Sequence, residues 1–188
     1  MSTLLRSTLT SFFTLSILTG VIYPALVTLV ARGGFPDQAG GSLVERQGQI
    51  VGSRLIGQSF SDPTHFWGRP SATTPTAYDA TASAGSNLAP TNPALLQAVG
   101  DRLAALQASD PTNATAVPVD LVTASASGLD PHVSPAAALW QVPRVARARG
   151  VAVDEVQRLV AAHTEPRSLG ILGSPRVNVL ELNLALDR

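Results

Sequence analysis

The chain has 188 residues, thirteen basic and thirteen acidic, a formal net charge of zero and only 14 % charged side chains. No overall positive charge is available to hold a polyanion, so nucleic acid is not an expected partner. Cys and Lys are both absent: the first absence removes disulfides, thiolate metal sites and Cys nucleophiles, the second Lys-bearing phosphate loops and Schiff-base chemistry.

Between Arg6 and Arg32 no side chain is charged at neutral pH, and Leu9 to Ala31 is dense in Leu, Ile, Val and Phe. About 20 helical residues cross the roughly 30 Å hydrocarbon layer, and a helix is the single segment that satisfies its own backbone there. A cleaved secretory signal also starts with a positive residue and an apolar run, but this run exceeds the typical signal core of about 7–15 residues. Its exit, Leu29-Val30-Ala31-Arg32, also lacks an A-x-A-like site, so an uncleaved anchor is expected. Hydroxyls at Thr8, Thr10, Ser11, Thr14, Ser16, Thr19 and Thr28, with Gly20 and Pro24 near the middle, suit a helix packed on partner helices. The alternative is that the hydroxyls bond back within their own helix. Charge decides orientation poorly, because Arg6 and Arg32 flank opposite ends. A short tail before a long domain suits an N-inside anchor that sends the domain outward. Residues 1–8 are thus read as the tail, 9–31 as the transmembrane helix, 32–41 as a Gly-rich linker and 42–188 as a single extracytoplasmic globular domain.

Within that domain, Leu43-Val44 and Ile50-Val51 around Arg46-Gln47-Gly48-Gln49 predict a β-hairpin over Ser42 to Ser53. From Phe60 to Pro93, prolines interleave with Ser, Thr, Gly and Asn, which predicts a long loop pinned by Phe60, Phe66, Trp67 and Tyr78. Asn92-Pro93 caps and starts a helix bearing Leu96, Val99, Leu103 and Leu106, stopped at Asp110-Pro111. Val117 to Thr123 is short and β-prone. Ser134-Pro135 opens a second helix with a break expected near Pro143 and an end before Gly150. Val153 to His163 gives a third, with Val156, Leu159 and Val160 on one face. Arg176 to Leu186 reads as an apolar strand central to a small sheet. The fold class is therefore α+β (or α/β), with a small sheet and about three helices, tethered by one N-terminal transmembrane helix.

Templates for chemistry mostly fail. His65, His132 and His163 are dispersed, which argues against zinc, and no G-x-S-x-G elbow occurs. The Asn113-Ala114-Thr115 sequon has meaning only in a glycosylating pathway. Arg144, Arg147 and Arg149 are expected to answer a helix dipole in solvent, with lipid headgroups or an acidic partner as the sharper reading. The stretch Pro118 to Pro135 runs a β-prone piece into a Ser/Gly turn and a Pro-bounded helix start. Thr123, Ser125, Ser127, Gly128, Asp130 and His132 are its candidate binding residues, as an anion-holding nest. The structural alternative is that Thr123, Ser125, Asp130 and Ser134 satisfy a turn and cap a helix.

That stretch resembles the central motif of the C-subunit family of the bacterial Kdp potassium-transporting ATPases. Further blocks follow in the family's order: Gly52 to Phe60, Phe66 to Ala72, Gly85 to Pro93, Gln141 to Ala146, and Val177 to Asn183. His65 and Ala126 depart from the family's Tyr and Gly. The resemblance covers nearly the whole chain and implies a non-catalytic accessory subunit of an ATP-driven potassium importer in the cell (inner) membrane, inserted N-inside. Its implied partners are the potassium-translocating and ATP-hydrolysing subunits and the lipid bilayer. The family is also described as a catalytic chaperone that raises the ATP affinity of the hydrolytic subunit. ATP is thus implied through the complex, with no metal or organic cofactor expected in this chain. A different class of function, a stand-alone membrane-anchored hydrolase, would use Ser125, Ser127, Asp130 and His132 as a compact polar site.

Overall fold

A computed structural model describes residues 2–187. The chain divides into two compact units, Met1–Ile50 and Val51–Arg188.

The first unit is dominated by one apolar helix, Thr3–Gly34, of 32 residues, long and apolar enough to cross a membrane. It consists of α1 (Ser2–Ile17), a π-helical turn (Leu18–Ile22) and α2 (Tyr23–Gly34). The wider turn sits just before Pro24, which has no amide to give the Gly20 carbonyl. There the Tyr23 amide reaches the Leu18 carbonyl, five residues back, so the helix absorbs its proline without a stop. Thr19 donates to the Leu15 carbonyl at 2.8 Å, the intrahelical bonding weighed for these hydroxyls. After a short helical turn, α3 (Pro36–Ala39), come β1 (Leu43–Arg46) and β2 (Gln49–Ser53), a two-stranded sheet. Gln47 and Gly48 both have positive φ, 53° and 77°, as a tight two-residue hairpin requires. The hairpin expected over Ser42 to Ser53 is present.

In the second unit, residues 57–92 hold one 3-10 turn, Ala80–Ala82, and no strand or α-helix, as expected for the Pro-rich segment. Then follow α4 (Pro93–Ser109), a 3-10 turn (Val119–Leu121), β3 (His132–Val133), α5 (Pro135–Arg149) and α6 (Val153–Ala162). The chain closes with β4 (Thr164–Glu165), β5 (Arg176–Asn178) and α7 (Val179–Leu186). β5 lies between β3 and β4, antiparallel to both, with Val177 opposite Val133 and Thr164. Asn92 caps α4 by accepting the Ala94 amide at 2.9 Å, and Ser134 caps α5 by accepting the Ala137 amide at 3.0 Å. The core is built around α5, whose Ala137, Ala138, Val142, Val145 and Ala146 are buried with Val156 and Val160 of α6, Val177, Leu182 and Phe66.

Three sequence expectations need correction. The β-prone piece is a 3-10 turn: Pro118 supplies no amide, and Leu121 and Val122 bond back to the carbonyls of Pro118 and Val119. Its Asp120 carboxylate accepts the Ser134 amide at 2.7 Å, tying the turn to the start of α5. No break occurs at Pro143, and α5 runs through it. Proline removes the donor for the Leu139 carbonyl, but Leu139 is an exposed residue, so the loss falls on the solvent side of the helix rather than in the core. The closing strand ends at Asn178, whose side chain accepts the Glu181 amide at 3.1 Å and caps α7. A Leu-rich apolar run fits helix or strand equally, and the cap decides. The domain therefore has α7 as a fourth helix beside α4, α5 and α6.

Candidate functional site

The turn carrying the predicted residues is held from outside by the Pro/Ser/Thr segment. Gly128, at φ 68°, lies so close to Ala84 and Thr73 that a Cβ would stand 2.6 Å from the Ala84 carbonyl oxygen. Ser71 donates to the Gly128 carbonyl at 2.7 Å and accepts the Tyr78 amide at 2.9 Å. The Ala84 amide and Ser83 hydroxyl both reach the Ser127 carbonyl at 3.0 Å. From the other side, the Gly57 amide donates to the Leu129 carbonyl at 2.8 Å. The Tyr78 hydroxyl donates to the Arg69 carbonyl; burial, then the Asp130 charge, push its pKa up against the opposing Arg69.

At the centre are Arg69, Asp130 and His132. Arg69 reaches the Asp130 carboxylate and the Ala124 carbonyl, each at 3.3 Å. Asp130 also accepts the His132 amide at 3.0 Å and faces its Nδ1 at 3.3 Å. Burial pushes the Asp130 pKa up, but the hydrogen bonds from His132 and the charges of His132 and Arg69 outweigh it, leaving the carboxyl below its ordinary value. Arg69 and Asp130 stand between two open hollows. Ser125, Ser127 and Leu129 line one of about 580 Å³, and Asp120, His132, Ser134 and Arg176 line the other, of about 510 Å³.

The six candidates are thus neighbours along one turn, but they do not converge on one point. Thr123 bonds back to the Val119 carbonyl at 2.8 Å. Ser125 is buried, with its hydroxyl 3.5 Å from that of Ser127, and Ser127 accepts the Leu129 amide at 3.2 Å. Neither serine is bonded to His132, so the nucleophile–base contact of a hydrolase is not formed. The turn also fits a nucleotide poorly. Its guanidiniums are already engaged, Arg69 by Asp130 and Arg176 by Glu165, and the Thr123, Gly128, Leu129 and His132 amides are taken up within the turn. Among the described residues lining the two hollows, a triphosphate would meet carboxylates and no unpaired Arg. Among the described residues, no group of three His, Asp or Glu gathers as a metal site.

A second polar arrangement, not anticipated, fixes the loop that carries Arg69. The buried Asn183 side chain accepts the Phe66 amide at 2.8 Å and donates to the Phe66 carbonyl at 2.9 Å. Gln141, fully buried, does the same for Trp67, accepting its amide at 2.8 Å and donating to its carbonyl at 3.0 Å. Two helix-borne amides thereby replace the neighbouring strand that a buried extended backbone would need. Arg144 is buried too. It donates to the carbonyls of Pro63 and His65 and to Gln141, and stacks on the Trp67 ring at 4.3 Å. Burial pulls its pKa down to about 10, against the charges of Asp110 and Asp62. This corrects the solvent role expected of the basic cluster. Arg149 bonds the Thr64 and Leu186 carbonyls and Asp187, and Arg147 pairs with buried Asp110 at 2.9 Å. Gln141, Asn183, Arg144 and Arg69 all fall within the blocks that carry the family resemblance, but composition and periodicity give the first three no mark beyond a polar residue in an apolar helix face. Arg69 has none beyond its place between Gly68 and Pro70.

Comparison with known proteins shows the family. The family profile described as KdpC, the c chain of K+-transporting ATPase, matches residues 5–188. The chain belongs to the KdpC family. It is 61 % identical over 188 residues to the potassium-transporting ATPase KdpC subunit of Herpetosiphon aurantiacus, covering 100 % of this chain and 97 % of that protein. The subunits of Polaromonas naphthalenivorans and Sorangium cellulosum are 63 % and 62 % identical, over 100 % and 97 % of this chain and 95 % and 96 % of theirs. The blocks that carry the resemblance occupy defined places. Gly52 to Phe60 backs the polar turn, Phe66 to Ala72 is the clamped loop, and Gln141 to Ala146 with Val177 to Asn183 supply its clamps.

Proposed function

We propose that this chain is a non-catalytic accessory subunit of an ATP-driven, high-affinity potassium import complex, with residues 9–31 embedded in the cell (inner) membrane. In this reading the N-terminus is cytoplasmic, residues 32–41 are a linker and residues 42–188 are extracytoplasmic. The observation that supports it most is the helix Thr3–Gly34, in which no residue up to Val30 is buried. An apolar helix of this length needs lipid or partner helices around it, and the relatives are named as subunits of a potassium-transporting ATPase, to which such a subunit belongs. Its partners are the potassium-translocating and ATP-hydrolysing subunits.

The separation of the serines from His132 favours this reading over a stand-alone hydrolase built on Ser125, Ser127, Asp130 and His132. The engaged state of Arg69 favours a chaperone role exerted through subunit contacts over one exerted by a triphosphate on the polar turn. Co-expression with the sister subunits and extraction in mild detergent tests the proposal. The chain should elute with them, and its omission should raise the apparent KM for ATP of the remaining complex. Elution of the chain alone would overturn it.

A further inference from the structure

The hairpin between β4 and β5 ends in a tip that the fold does not use. Leu169, Ile171 and Leu172 are 88 %, 75 % and 57 % exposed, on a segment with no acidic residue between Glu165 and Glu181. The tip is built rather than frayed. Ser168 and Leu172 exchange both backbone hydrogen bonds at 2.9 Å, and the Gly170 and Ile171 amides return to the carbonyls of Arg167 and Ser168. Leu169 and Gly170 both have positive φ, 54° and 77°, which turns the chain sharply and points aliphatic side chains outward. Two arginines bracket it. Arg176 pairs with Glu165 at 2.8 Å, whereas Arg167 is exposed and has no carboxylate partner among the described residues.

We propose that this tip inserts into the headgroup boundary of a bilayer containing anionic lipid, with Leu169, Ile171 and Leu172 among the acyl chains and Arg167 at the phosphates. Three features select lipid over a protein partner. A loop whose Ser168, Gly170, Ile171 and Leu172 amides are bonded internally enters an apolar interface with few amides stranded, whereas a protein groove would offer bonds that this loop largely does not need. Aliphatic side chains flanked by cations and free of carboxylates complement an anionic surface. Three side chains are too few to build the roughly 800 Å² per partner of a stable protein interface. A weak lipid contact suffices when the protein is already tethered, because the second contact is intramolecular. The proposal rests on the reading that the N-terminal helix is embedded.

The test exploits the absence of Cys. Single-Cys variants Leu169→Cys, Ile171→Cys and Leu172→Cys of the full chain are spin-labelled and reconstituted alone into vesicles of phosphatidylcholine with phosphatidylglycerol. Collisions with apolar oxygen and with a polar nickel chelate are then compared. Phe13→Cys serves as the anchor control and Gln107→Cys, on an exposed face of α4, as the aqueous control. At all three tip positions oxygen should collide more often than nickel, as at Phe13 and opposite to Gln107. Arg167→Glu should shift the tip toward the aqueous value. Tip labels that match Gln107 while Phe13 still reads as lipid would overturn the proposal and leave the anchor reading intact. An aqueous value at Phe13 itself would sink both. Tip labels that become shielded from both reagents only when the sister subunits are present would also overturn it, by assigning the tip to a protein partner.

Discussion

The N-terminal helix and the second unit sort their side chains by opposite rules. From Thr3 to Val30 every residue of the helix is exposed, Phe12, Leu15, Val21 and Leu29 among them. In the second unit, Gln141 and Asp110 are buried as completely as Phe66 and Leu182. Exposure of so much apolar surface is favourable only where the surroundings are themselves apolar. Burial of so much polarity is tolerated only where most groups find partners; among the described residues the Asp110 Oδ2 and the Nε atoms of Arg69 and Arg144 are buried without one. On the proposed reading, the comparison teaches that two solvents shape one chain. In the helix the backbone is self-sufficient and side chains are free to face lipid. In the second unit an irregular backbone runs through the core, and helix side chains must complete its hydrogen bonds.

The largest effect that could break this contrast lies at Phe66. Phe66→Ala empties a fully buried site and should destabilise the second unit by about 3–5 kcal/mol, measured by denaturant unfolding of the detergent-solubilised chain. Leu26→Ala, 57 % exposed in the helix, should leave that transition in place. An equal effect of both changes would mean that the helix is packed within the protein's own core.

Next come the amide clamps. Gln141→Leu or Asn183→Leu fills the site with an apolar side chain but strands one amide and one carbonyl of Trp67 or Phe66, at about 1–3 kcal/mol for each group left unpaired. A lower melting temperature is expected for each. A neutral outcome for the Leu variants would show that the loop backbone does not depend on the clamps.

The smallest effect concerns pH. The Asp130 pKa is lower folded than unfolded, so the carboxylate contributes stability above its ordinary value of about 3.9, and this is lost as pH falls through the folded value. The acid limb of the stability profile should therefore be steeper in the parent chain than in Asp130→Asn. Parallel limbs would remove the Arg69–Asp130–His132 cluster from the stability account.

Local signals in the sequence were sufficient wherever the chain decides its own conformation. Asn92-Pro93 and Ser134-Pro135 start helices because cap and φ restriction act within a turn, and Gln47-Gly48 closes the hairpin for the same reason. Signals failed where distant groups decide. Pro143 stays helical where the residue whose carbonyl it frees, Leu139, is exposed, and Val179 to Leu186 becomes a helix because Asn178 caps it, though its alternating leucines suit a strand. At the polar turn, the residues singled out in the sequence are neighbours along one stretch of chain. Local signals could not place Arg69, which arrives from a loop 61 residues away along the chain from Asp130, held there by Gln141 and Asn183. The long apolar run near Arg6 was legible because its period, length and lack of charge are all local.

The central claim, that residues 9–31 stay embedded and hold the remainder outside, is tested most directly by side-specific labelling. A Gln107→Cys chain, expressed with the sister subunits, is exposed to a membrane-impermeant thiol reagent in intact spheroplasts, and the membranes are then washed with alkaline carbonate. The account predicts a labelled, full-length chain retained in the washed membranes. Labelling only after lysis, or a carbonate-soluble chain shortened at its N-terminus, would contradict it.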